Sequence, residues 1–141
     1  MGTVVLAVFV GSLPGCGDDD ATSPEKAILA RGERTSWVAI EPRQCLTNSW
    51  EQDWLDRHGN DERYPSDPTW PRRFTPEEIA IIQDYYSRQG VVVFQATARQ
   101  SSDVVCLACS CGEGHTLYLL VRDEDVETMV GFGYRVEMPL K

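Results

Sequence analysis

The chain has no apolar stretch long enough to cross a bilayer as a helix. The run Val4 to Val10 is far shorter than the roughly 20 residues a spanning helix needs. Clusters of Lys and Arg are also missing. The 13 basic residues are outnumbered by 22 Asp and Glu, and the formal net charge of −9 is spread along the sequence. Phosphate backbones require gathered cations, so the charge pattern argues against nucleic acid as a partner. His58 and His115 are the only histidines, and neither stands in a nucleophile motif, so spacing offers no Ser-His-Asp site. The GFG at Gly131 to Gly133 precedes no helix start and is a helix stop, not a phosphate loop. There is no internal repeat. These absences leave no enzyme signature and no requirement for a cofactor.

Five cysteines are present, and three of them fall within six residues in the stretch Val104 to His115, VVCLACSCGEGH. The first, Cys16, ends a different kind of segment. The apolar run Val4 to Val10 followed by Leu13, Pro14, Gly15 and Cys16 resembles the lipobox of bacterial lipoprotein precursors. The resemblance implies a signal peptide over 1–15 and a lipid on Cys16 as the mature N-terminus. The protein would then be held at the membrane in the bacterial cell envelope, on its periplasmic or extracellular face. The next stretch, GDDDATSPE, is acidic, small and proline-bearing and cannot bury enough apolar surface to fold. Residues 16–27 therefore read as lipidated cysteine and flexible tether, and 28–141 as one domain. The competing reading makes Thr3 to Val10 a buried strand and Cys16 a core thiol.

Setting Cys16 aside leaves Cys45, Cys106, Cys109 and Cys111. Four is an even number in an oxidising compartment, which allows two disulfides in any of three connectivities. A bridge between Cys109 and Cys111 would be strained by the short spacing, so Cys45 must bond into the cluster.

Pro24 to Arg34, at the junction of tether and domain, carries one or two helical turns before Gly32. Thr35 to Glu41 alternates as a first strand, with Trp37 and Ala39 on one face and Val38 and Ile40 on the other. Ser49 to His58 has Trp50, Trp54 and Leu55 at helical spacing, a cap in Asn48 or Ser49, and Gly59 as its stop. The Pro-rich segment after Gly59 reads as a loop pinned by aromatics. The next helix is signalled more strongly. Thr75 is the N-cap, Pro76 suits the first position, Glu78 completes a capping box, and Phe74 with Ile79 forms a hydrophobic staple. Its stripe is Ile79, Ile82, Tyr85 and Tyr86, and Gly90 ends it. A β-branched run from Val91 places Val92, Phe94 and Ala96 on one face. Thr116 to Val121 is a third strand, Asp123 caps a short helix, and Tyr134 to Met138 is a last strand.

The order strand, helix, strand, strand, helix, strand predicts an α+β fold of the ferredoxin-like split βαβ type. It would be an antiparallel sheet with two helices on one face and a long Trp-rich insertion after strand one. In that arrangement the exit of strand one and the turn after strand two share one end, so Cys45 meets Cys106, Cys109 and Cys111.

Three chemistries suit that cluster. Structural disulfides are favoured by the compartment, each contributing about 2 to 4 kcal/mol. A thiolate site for zinc or copper would use Cys45, Cys106, Cys109 and Cys111 with His115. Redox chemistry would use Cys106 and Cys109. Asp53, Asp56, His58 and Asp61 lack calcium-loop spacing and read as a solvated helix end. Trp50, Trp54, Tyr64 and Trp70 are the partner-facing candidates, with the core as their competing place. The expected function is binding, or a structural part in an envelope assembly with another envelope protein.

Overall fold

The computed structural model describes residues 32–59, 62–67, 69, 73–103 and 106–139. The expected signal segment 1–15, Cys16, the tether through 27, Asp61 and Trp70 lie outside the described residues.

The first strand, β1 (Thr35–Ile40), leads through a turn to α1 (Ser49–His58), whose bounds coincide with the Trp50, Trp54, Leu55 spacing. Gly59 closes α1 at φ 76°, its amide returning to the Leu55 carbonyl at 2.8 Å. The second helix, α2 (Pro76–Arg88), begins where Thr75 and Pro76 place it. The Thr75 hydroxyl accepts the Glu78 amide at 3.1 Å, and Phe74 and Ile79 both pack against the core. The Glu78 carboxylate accepts the Tyr64 hydroxyl at 3.1 Å, a partner outside the expected capping box. Glu78 is fully buried there.

Next come β2 (Val93–Gln100) and β3 (His115–Arg122), a 3₁₀ turn (Asp123–Asp125), α3 (Val126–Gly131) and β4 (Arg135–Val136). Asp123 does not cap the helix as expected: its carboxylate takes the Ser36 hydroxyl at 2.8 Å and so ties the turn to β1.

The described residues are α+β, a four-stranded antiparallel sheet with three α-helices. The order across the sheet is β2-β3-β1-β4, and each neighbouring pair runs antiparallel. It follows that β1 and β2 are parallel to each other with β3 between them. In the same way β3 and β4 are parallel with β1 between them.

Period-two alternation sends Val38, Leu117, Leu119 and Val121 to the face that α1 and α2 cover. Onto this layer pack Trp50, Trp54, Ile82, Tyr85, Tyr86 and Met129. One departure from simple alternation occurs in β2. Val93 pairs with Val121 but Gln95 pairs with Leu120, so Phe94 is an extra residue, a β-bulge. The bulge reverses the expected face: Val91 and Val93 enter the core while Val92 is exposed, and Ala96 still reaches the core beyond it. Among the described residues no helix is long and apolar enough to cross a membrane.

A small ionic network fastens α1 to α2. Arg88 places two nitrogens on the Asp53 carboxylate at 2.6 and 2.9 Å, and Arg57 adds a third contact at 3.0 Å. The hydrogen bond from Arg88 holds the Asp53 carboxyl below its ordinary range, against a smaller upward push from burial. A depressed native pKa contributes stability above the unfolded value of about 3.9 and loses it as pH falls through the native value. Asp53→Asn is therefore expected to flatten the acid limb of a stability-against-pH curve below about pH 4. Urea titrations at pH 3, 4 and 6 measure it, and an unchanged acid limb would refute the assignment.

Candidate functional site

The turn after β1 and the connection between β2 and β3 come together at one end of the sheet. There Pro42–Gln44 runs antiparallel to Cys111–Glu113, with an isolated bridge between Arg43 and Gly112. The Gln44 amide donates to the Cys111 carbonyl at 3.0 Å, and the Glu113 amide to the Pro42 carbonyl at 2.8 Å. The Gln44 side chain also braces the cluster, donating to the carbonyls of Cys106 and Gly112 at 2.7 and 3.1 Å.

Two disulfides close this end: Cys45–Cys109 and Cys106–Cys111, with Cα separations of 5.1 and 6.0 Å. Cys45 is thus bonded into the cluster, and Cys109 and Cys111 are not joined. The C-x-x-C pair Cys106 and Cys109 is divided between two bridges. Bridged sulfurs carry no thiolate, which is the form that binds metal or attacks disulfides. The expected alternative of a site at Cys45, Cys106, Cys109, Cys111 and His115 therefore has no free ligand sulfur in this state. Among the described residues no group of three or more His, Cys, Asp or Glu is placed to hold a metal ion. His115 is buried on the helix-facing side of β3, its Nδ1 3.3 Å from the Glu113 carbonyl.

Cys45 and its neighbour Leu46 both adopt left-handed backbone, at φ 63° and 54°. This conformation is disfavoured for residues with a Cβ, and here it is held between the bridge and the start of α1. The Asn48 side chain clamps that start, accepting the Arg43 amide at 2.9 Å and donating to the Arg43 carbonyl at 3.0 Å. The Glu51 carboxylate reaches back to the Asn48 amide at 2.9 Å.

No family model, curated protein or solved structure matches this chain. The site is therefore read from its own geometry.

Of the aromatic candidates for partner contact, three are core residues. Trp50, Trp54 and Tyr64 are 2, 8 and 2 % exposed. Trp54 meets Tyr64 edge-on at 5.5 Å between centroids and stacks on His58 at 4.2 Å, so the loop turns its rings inward. Rings buried this deeply offer a partner no surface. Asp53 and His58 likewise have structural partners, namely the guanidiniums of Arg57 and Arg88 for the first and Trp54 for the second.

What the bridged loop does present is Leu107, 97 % exposed between the half-cystines Cys106 and Cys109. Since it buries nothing, Leu107→Ser is expected to change folding stability by less than about 0.5 kcal/mol. A chemical-denaturation midpoint tests this, and a large loss would mean that the loop packs elsewhere.

Proposed function

We propose that this chain is the precursor of a lipid-anchored protein of the bacterial cell envelope. Residues 1–15 would serve as signal peptide, Cys16 as the lipidated N-terminus, 16–27 as tether, and 28–141 as a domain that binds or props a partner without catalysis. The observation that carries this reading is the cysteine pairing. Four of the five cysteines bond to one another, which leaves Cys16 as the odd one, in the segment that resembles a lipobox. Two disulfides at an exposed end also suit an oxidising compartment. The membrane is then a partner through the lipid, and a second envelope protein would meet the domain.

We also read the fold as ferredoxin-like. Support comes from the two interlocked pairs of parallel strands, each separated by an antiparallel third, that the order β2-β3-β1-β4 creates. The insertion carrying α1 and the two-residue β4 are its departures.

The test is expression of the full chain in a bacterium fed labelled palmitate. Incorporation of label, its loss in Cys16→Ser, and an unreduced mass four hydrogens below the reduced chain are expected. A fully reduced chain carrying stoichiometric zinc or copper, without lipid, would overturn the proposal in favour of thiolate chemistry.

A further inference from the structure

A cleft of about 390 Å³ opens between the end of β1, the start of α1 and the turn before β4. Among the residues that line it, cations outnumber carboxylates. Two guanidiniums, Arg43 and Arg135, line it with one carboxylate, Glu41, in a protein of net charge −9. Glu41 is not spent on either arginine. Its carboxylate lies against Gly112, so close that a Cβ at that position would overlap it. Arg43 is exposed, and its guanidinium has no partner among the described residues, whereas Arg135 bonds Glu137.

Other polar groups of the wall belong to the start of α1. The capping interactions of α1 use the amides of Asn48 and Glu51, leaving those of Ser49 and Trp50 with no acceptor among the described residues. These point along the positive end of a ten-residue helix. Independently, Trp50, one of the lining residues, has a buried indole Nε1–H with no hydrogen-bond partner among the described residues. A buried donor left unmatched is uncommon in a folded protein and asks for an explanation. Behind the polar lining, Tyr86 and Phe132 supply a rigid aromatic backing, with ring centroids 5.5 Å apart. The volume falls in the range of sites for small ligands.

We propose that this cleft binds the oxyanion group of a small polar ligand, a carboxylate or a phosphate. Arg43 is the principal cation, Arg135 the second, and the first amides of α1 are donors to the anion. Planar guanidinium forks suit both groups. The site is independent of the anchoring proposed above and would stand if that reading failed.

The test is an NMR titration of the ¹⁵N-labelled full chain with sodium phosphate and, separately, sodium acetate, with sodium chloride at matched ionic strength as reference. Saturable shifts of the Ser49 and Trp50 amides and the Trp50 indole are expected with an oxyanion and not with chloride. The salt that saturates at lower concentration identifies the group. Arg43→Gln and Arg135→Gln should each weaken binding at least about fivefold, since each removes a charge-assisted hydrogen bond. Gly112→Ala leaves the backbone unstrained but unseats Glu41, freeing its carboxylate to pair with Arg43, and should weaken binding severalfold. Shifts no different from those in chloride, or affinity unchanged by both arginine substitutions, would overturn the proposal.

Discussion

Replacing Cys45 and Cys109 together by serine is expected to destabilise the domain by about 3 to 4 kcal/mol, roughly twice the effect of the same change at Cys106 and Cys111. The difference follows from loop length. The first bridge spans 64 residues and the second only 5, and the entropy removed from the unfolded chain grows with the logarithm of the span. The loop-closure relation gives about 4 and about 2 kcal/mol respectively. Release of the left-handed pair Cys45 and Leu46 would return part of the larger figure, since each such residue costs about 1 to 2 kcal/mol. That relief is limited, because the Asn48 clamp and the Arg43–Gly112 pairing hold the segment from both sides. Urea unfolding of the two double variants, compared with the bridged protein, measures both numbers. Equal losses, or a greater loss at Cys106 and Cys111, would mean that the long bridge constrains a denatured chain already compact.

The second large effect is expected at Tyr86, which is 1 % exposed and stands at the centre of an aromatic group. Its ring meets Tyr85, Phe132 and Tyr134 nearly edge-on, at centroid distances of 4.9, 5.5 and 5.8 Å, and Trp50 at 6.4 Å. Tyr86→Ala empties that centre and should cost about 3 to 5 kcal/mol, as buried aromatic truncations do. The polar part can be separated from the packing. The Tyr86 and Tyr134 hydroxyls bond to each other at 2.9 Å, and burial pushes both phenols above their ordinary pKa, so both remain protonated through neutral pH. Tyr86→Phe strands the Tyr134 hydroxyl and should cost about 1 to 3 kcal/mol, whereas Tyr86→Phe with Tyr134→Phe removes both partners and should be nearly neutral. A double-mutant cycle on denaturation free energies decides it. Additive losses would mean that the two hydroxyls do not stabilise one another.

These contrasts reflect how much was legible in the chain. Local chemistry was readable. Thr75 and Pro76 start a helix wherever they stand before an apolar stripe, and Trp50, Trp54 and Leu55 marked α1 to the residue. The meeting of Cys45 with the later cysteines was also readable, because it depends only on which strand ends share a side of the sheet. Features decided by a distant partner were not. The bulge at Phe94 exists only relative to β3, so alternation within β2 could not reveal it. Glu78 met the capping-box pattern but takes the Tyr64 hydroxyl, a contact that depends on how the preceding loop folds back. The direction faced by Tyr64 was equally undetermined, since an aromatic-rich loop has the same composition whether its rings face in or out. The oxyanion cleft had no sequence signal at all, because Arg43, Trp50 and Arg135 become neighbours only when β4 lies beside β1.

The position of β3 has a consequence for how the chain is made. Neither β1 nor β2 pairs with the other, and both find their partner in β3, which is complete only at Arg122. A ribosome delivers residues in order at roughly 5 to 20 per second. The emerging chain therefore holds two strands without a template for several seconds, and the sheet closes late, nearly all at once. If the chain is exported as proposed above, such a delay would keep it unfolded for passage. A chain cut short before β3 would instead leave both strands open to association with other copies.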